Sequence, residues 1–388
     1  MPRGSEVMIQ KLRLKGFEVE LFTGRSSGEN VGVAELVKQD LTEFCVEPDH
    51  RNLEYITNPE SDYGKLKEAL LAPRRRLRTW LAERNLTLLP GSTLTLGDAT
   101  QFERSNPNDP YHDLIEATYG TTVVTASIHI NLGISEPADL FAALRLVRCE
   151  AALLLALSAS SPFLNRQITG AHSQRWLQFP LTPKQVPLFR DLEHFVEWTD
   201  TQLMEGRMHN VRHLWTSVRP NGPQRPFDLN RLELRICDLV TNPDLLLAIT
   251  ALMELRVLML LREPNQLDPF KASDLSADQL MVLSDTNDAT AARHSLDAQL
   301  RDWRDGRQRL CRNWLRDMIN DVMPLAHELE LTSYLLPLES VLAEGNQAMR
   351  WLKGIENGRS LEEEFRTGIL EMEQEEQPID RSLADALG

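Results

Sequence analysis

Hydrophobic and polar positions along the first two-thirds of the chain follow two periods. Residues 14–23 (LKGFEVELFT), 122–132 (TVVTASIHINL) and 231–238 (RLELRICD) alternate with period 2, which predicts half-buried strands. Residues 44–57 (FCVEPDHRNLEYIT) predict two extended pieces around a Pro-Asp turn. Helical spacing takes over between these strands. Leu66, Ala69, Leu70, Leu77, Trp80 and Leu81 mark one helix, with Pro73 as a kink or break. Residues 136–158 form a very apolar helix with Pro137 suited to its first turn, and residues 187–205 form a third. Beyond about residue 243 the pattern becomes helical, with 244–261 reading as a buried helix and amphipathic helices continuing to about 374. An acidic tail that frays is expected from about Glu371 to Gly388. The division is a sheet-based core over 1–245, a helical part packed on it over 246–374, and a flexible tail over 375–388.

The polar halves of the alternating strands narrow the chemistry. Glu18 and Glu20 share one strand face, His129 and Asn131 another, and Glu233 and Arg235 a third. Glu54 lies between Leu53 and Tyr55, with Glu47 upstream. An antiparallel sheet with one wet face explains any one of these strands. It explains all of them together less well, because solvated faces are usually rich in Lys, Thr, Ser and Gln. Converging carboxylates repel unless a cation neutralises them, and carboxylates with one histidine suit Mg²⁺ or Mn²⁺ better than zinc.

Composition removes other classes. The chain has 388 residues and a net charge of −15, which disfavours nucleic acid and anionic membranes as partners. The first residues show no apolar run or cleavage-like site, so no signal peptide is expected. The most apolar stretch, Ala151–Leu157, falls well short of the ~20 residues a membrane span needs. Four scattered cysteines, Cys45, Cys149, Cys237 and Cys311, suit a reducing cytoplasm and no zinc ribbon. Neither GxGxxG nor GxxxxGK[ST] occurs. Gly24-Arg-Ser26-Ser-Gly28 fits GxSxG but reads as a turn, since no clear helix follows it. Arg74, Arg75, Arg76 and Arg78 read as a solvated helix face.

Several blocks in order (GFEVEL, EPDHRNLEYIT, PGSTLTLG, Asn108 to Asp113, YGTTVVTASIHINLGI and LELRICD) resemble the glutamate–cysteine ligases, most of all their cyanobacterial-type branch, over roughly residues 14–245. The resemblance implies an α+β, glutamine-synthetase-like fold: a curved antiparallel sheet, backed by helices, whose concave face holds Mg²⁺ and ATP. It implies ATP-dependent joining of the glutamate γ-carboxylate to the cysteine amine, the first step of glutathione synthesis, with a different amine acceptor as the alternative. By the same resemblance Glu18, Glu20, Glu47, Glu54, His129 and Glu233 correspond to metal ligands, with Asp49 competing for the role of Glu47. Asn131, Arg219 and Arg235 correspond to nucleotide-site residues, and Arg175, Arg219 and Arg235 to groups that meet substrate carboxylates or phosphates. The expected partners are glutamate, cysteine and ATP, with no nucleic acid and no membrane, in a monomer or homodimer.

Overall fold

A computed structural model describes residues 11–377. Its strands are β1 Lys15–Gly24, β2 Phe44–Val46, β3 Asn52–Ile56, β4 Thr87–Leu89, β5 Ile128–Gly133, β6 Phe163–Leu164, β7 Gln167–Ile168, β8 Val218–Asn221, β9 Arg231–Leu234, β10 Gln299–Arg301 and β11 Gln308–Leu310. Seven form one antiparallel sheet in the order β2-β3-β1-β5-β9-β8, with β4 paired to the end of β1. The pairs β6–β7 and β10–β11 stand apart from it.

The register decides which side chains meet. Glu20 lies opposite Glu54, Glu18 opposite His129, Asn131 opposite Glu233, and Glu233 opposite Arg219. Residues paired across strands project to the same face, so one polar face gathers side chains from five strands. Arg235 joins it just past β9, where its backbone N–H donates to Ser217 O at 2.8 Å. Phe17, Val19, Leu53, Tyr55, Ile130 and Leu232 project the other way and are at most 1% exposed. A one-residue slip would exchange the two faces, so burial of the apolar side fixes the polar one.

Helices cover that apolar side. Tyr63–Ala82 packs on β1 and β4, Pro137–Ser158 on β8 and β9, and Pro243–Arg262 packs on both helices. In Pro137–Ser158 every residue from Leu140 is buried except Ala142, as expected for a helix apolar all round. Its buried charges are paired: Arg145 with Asp268 at 2.7 Å, Arg148 with Asp288 at 2.9 Å, and Glu150 with Arg256. Lys15, which opens β1, reaches Glu254 of Pro243–Arg262 at 2.9 Å and ties sheet to helix. The expected α+β class, an antiparallel sheet backed by helices with a helical C-terminal part, is the observed one. Among the described residues no helix is long and apolar enough to cross a membrane.

Several local expectations change. Only Ile128–Gly133 of the segment 122–132 is strand, and Gly120–Val123 is a 3₁₀ turn. Pro73 sits inside one continuous helix. The boundary between 245 and 246 falls within the helix Pro243–Arg262. The arginines of 74–78 are partnered: Arg74 is buried against Tyr55 Oη at 3.0 Å, Arg76 pairs with Glu43 at 2.8 Å, and Arg78 with Glu376 at 2.6 Å. The last helix runs to Glu375, so residues 371–377 dock on the body, and 378–388 lie outside the described residues.

Candidate active site

The centre of the polar face is built on β1, β3 and β5. His129 Nδ1 lies 3.0 Å from Glu18 Oε2, and its Nε2 lies 3.1 Å from Ser127 Oγ. Ser127 Oγ donates to Glu20 Oε2 at 2.7 Å, and Asn131 Nδ2 donates to Glu18 Oε1 at 3.1 Å. One ligand atom each from Glu18, Glu54 and His129 lies within 4.8 Å of the others. Burial, then Glu47, Glu18 and Glu20, push the Glu54 carboxyl well above its ordinary value. Burial and Glu20 push Glu47 up to about 8. Two carboxyls held up by burial and one another, beside an imidazole, form a donor set that fits a hard divalent ion.

Glu233 behaves differently. It is fully buried, and its oxygens accept from Arg219 Nε at 2.7 Å, Arg219 Nη2 at 3.0 Å, Asn221 Nδ2 at 2.6 Å and Arg235 Nη1 at 2.6 Å. Burial opposes its charge, but Arg219 and Arg235 prevail and hold it well below the ordinary range. The structure thus brings Glu18, Glu54 and His129 together, sets Glu20 and Glu47 on the same cavity, and gives the oxygens of Glu233 to two arginines and an asparagine. Asp49 is engaged too: it accepts from Arg51 Nε at 2.8 Å and Nη2 at 2.6 Å, and from Glu103 N at 2.9 Å. Among the described residues, Asp49 has such partners and the Glu47 carboxyl has none. Arg175 is buried and donates to the carbonyls of Arg235 and Ile236 at 3.0 and 3.1 Å, pinning the end of β9. Arg219 holds Glu233 and the carbonyl of Leu214 at 3.0 Å. Arg219 is thus fully engaged, and among the described residues Arg175 keeps only its Nε without a hydrogen-bond partner.

The polar face floors a cavity of about 620 Å³. Its walls include Tyr111, His112 and Ile115 of the helix Pro110–Tyr119, together with Val123, Phe179 and Trp215. Asp109 caps that helix by accepting from Tyr111 N at 2.9 Å, and Tyr111 Oη lies 3.2 Å from His213 Nε2. Three further arginines line it: Arg212, Arg225 and Arg231. Sequence reasoning missed all three. Arg231 was within reach, since alternation along β9 places it on the face of Glu233 and Arg235. Among the described residues, Arg235 Nε and Arg225 Nη1 are buried without a hydrogen-bond partner, the condition of donors set for an anion. Ser92 and Thr93 lie outside the cavity, where Ser92 Oγ accepts from Leu239 N at 2.7 Å and Thr93 Oγ1 donates to Phe163 O at 2.5 Å. Cys45 alone of the four cysteines lines the cavity.

Residues 14–376 match the model of glutamate-cysteine ligase family 2. The protein named "Putative glutamate--cysteine ligase 2-1" of Frankia alni is 26% identical over 298 residues, 76% of this chain and 75% of its own. A protein of Gloeobacter violaceus named "Putative glutamate--cysteine ligase 2" is 24% identical over 344 residues, 83% of this chain and 87% of its own. In fold, the chain resembles the glutamate–cysteine ligase of Francisella tularensis crystallised in complex with AMP. The TM-score is 0.75 at 13% identity, covering 96% of this chain and 90% of that one.

Proposed function

The chain belongs to glutamate-cysteine ligase family 2, and we propose that it joins the γ-carboxylate of L-glutamate to the amine of L-cysteine at the expense of ATP. The observation that carries this reading is the cavity floor, where Glu18, Glu54 and His129 converge beside arginines whose buried donors lack partners. A free carboxylate is a poor acyl donor. Transfer of the terminal phosphoryl group of ATP to a γ-carboxylate oxygen gives γ-glutamyl phosphate and ADP. The cysteine nitrogen then attacks the acyl carbon. A C–N bond forms, the C–O bond to phosphate breaks, inorganic phosphate departs and the nitrogen loses a proton. Such chemistry asks for positioning and charge stabilisation, which suits a site of carboxylates and arginines without a nucleophile.

Glu18, Glu54 and His129, with Glu20 and Glu47 beside them, would hold Mg²⁺ or, in its place, Mn²⁺, and the ion when bound supplies positive charge to phosphate oxygens. Arg235 spends one nitrogen on Glu233 and keeps Nε for charge developing on the transferred group. Glu233 fixes that guanidinium, and Arg219 and Asn221 fix Glu233. Arg175 sets the height of Arg235 through its backbone. Arg175, Arg219 and Glu233 thus act as positioning residues. Asn131 joins Glu18 to Arg231, whose Nε donates to Asn131 Oδ1 at 3.0 Å, and so couples the acidic and basic halves of the floor. On this reading the product is the dipeptide precursor of glutathione, and the use of ATP and a free thiol supports a cytoplasmic setting. The test is ADP release with ATP, Mg²⁺, glutamate and a panel of amines. Cysteine should be the preferred acceptor. Faster turnover with another amine would reassign the acceptor, and turnover with none would end the enzyme reading.

A further inference from the structure

We propose that Arg225, carried into the cavity by the β8–β9 hairpin, is a further substrate-binding residue that grips the terminal phosphates of the nucleotide. The inference rests on the ATP-dependent reading above and deepens it. The hairpin loop, residues 222–230, is pinned. Asn230 N donates to Asn221 O at 3.0 Å, and Asp228 N and Phe227 N both donate to Gln224 O at 2.8 Å. Gly222 makes the close crossing at its base: a Cβ there would stand 2.1 Å from Asp228 O and 2.5 Å from Leu229 Cα, so no side chain fits. Arg225 therefore starts from a defined backbone position, and its side chain lines the same cavity as Arg231 and Arg235.

The arginines there differ in what neutralises them. Arg219 and Arg235 share the buried carboxylate of Glu233. Among the described residues, Arg225 makes no ion pair, and its Nη1 is buried with no hydrogen-bond partner. A cation half-withdrawn from water beside Arg231 and Arg235, with the nearby Glu233 carboxylate already bonded to Arg219 and Arg235, is costly unless a ligand supplies a further anion. Glutamate is the weaker candidate. It carries a single net negative charge, and its γ-carboxylate must sit at the reacting centre. The two terminal phosphates of ATP bring several charged oxygens, and a guanidinium fork suits them.

Nucleotide binding tests this apart from catalysis. Calorimetry with ATP, ADP and AMP, all with Mg²⁺, would compare wild type, Arg225→Gln and Arg225→Lys. Losing a charge-assisted contact of this kind should weaken ATP and ADP binding about tenfold to a hundredfold. AMP, which lacks the terminal phosphates, should bind Arg225→Gln within about twofold of wild type. Arg225→Lys should recover part of the loss for ATP and ADP, and it carries the same comparison should the Gln variant melt early. Unchanged ATP and ADP binding in both variants, or an equal loss for AMP, overturns the assignment. So does a tenfold rise in KM for glutamate with nucleotide binding intact. If wild type binds none of the three nucleotides, the ATP-dependent reading itself falls; binding by wild type with no effect of the substitutions removes Arg225 alone.

Discussion

Replacing Glu47 with Gln should flatten the pH dependence of stability of the metal-free protein and stabilise it above neutrality. Burial and the facing Glu20 push the Glu47 carboxyl up to about 8, against an unfolded value of about 4.3. A raised folded-state pKa means that the fold holds this proton more tightly than the unfolded chain does. The associated stability is fully present below about pH 4.3 and is lost as pH rises towards 8. At 1.36 kcal/mol per pH unit, the gap between about 4.3 and about 8 sets a ceiling of about 5 kcal/mol. Screening by cavity water brings this to about 2 kcal/mol for a half-buried group. With a melting entropy of about 2.1 cal/mol/K per residue, 388 residues give about 0.8 kcal/mol/K, so the melting temperature should fall by about 2–3 °C across the window. The assay is a melting curve in chelator at half-unit steps from pH 4.5 to 8.5, for wild type and Glu47→Gln. The variant should lose most of this slope, and Mg²⁺ should reverse it in wild type by supplying the missing positive charge. Parallel curves for the two proteins would refute the reasoning and remove Glu47 from the repelling cluster.

Three further outcomes follow from the geometry. His129→Ala and Glu54→Gln should each lower Mg²⁺-dependent turnover by about a hundredfold or more. Glu54→Gln should melt at or above the wild-type temperature because it relieves repulsion among the carboxyls, whereas His129→Ala, which strips Glu18 and Ser127 of a buried partner, should melt lower; a turnover loss in Glu54→Gln that tracks loss of folded protein would point to a structural role. Arg235→Lys should lower kcat by about 10²–10³, more than it raises KM for ATP or glutamate, and constants within about twofold of wild type would place Arg235 outside the reaction. Asp49→Asn should cost about 3 kcal/mol in urea unfolding, because it leaves the buried Arg51 with only the part-exposed carboxylate of Glu103, yet keep the Mg²⁺ affinity of wild type; weakened Mg²⁺ binding would make Asp49 a ligand after all.

The floor of the site was legible because strands write their faces in alternate letters. Glu18 with Glu20, His129 with Asn131, and Glu233 with Arg235 needed only the period-2 rule and an apolar back to fix their direction. The same rule over-reached at 122–127. Thr122, Val123, Val124 and Thr125 are β-branched and strand-like, yet the chain turns there and Val123, Val124 and Thr125 line the cavity, Ala126 N donates to Ser92 O at 3.1 Å, and Asn52 Nδ2 donates to Thr125 O at 2.6 Å. Backbone partners outside the strand ladder decided that segment. The division of labour among the charges was not legible. A strand pattern shows that Glu233 faces the site, but not that Arg219, fourteen residues earlier, saturates it. Nor could alternation separate Glu47 from Asp49, since what distinguishes them is the reach of Arg51. Arg212 stands in the 3₁₀ turn Val211–His213 and Arg225 in a loop, where position in the chain carries no periodic signal.

Oxygen transfer tests the central claim most directly. Glutamate labelled with ¹⁸O in its γ-carboxylate is incubated with the enzyme, ATP, Mg²⁺ and cysteine, and the inorganic phosphate and the peptide are analysed by mass spectrometry. An acyl-phosphate path predicts one labelled oxygen in each phosphate released and one retained in the new amide, in step with γ-glutamylcysteine formation. Unlabelled phosphate, or ATP hydrolysis without the dipeptide, would contradict it.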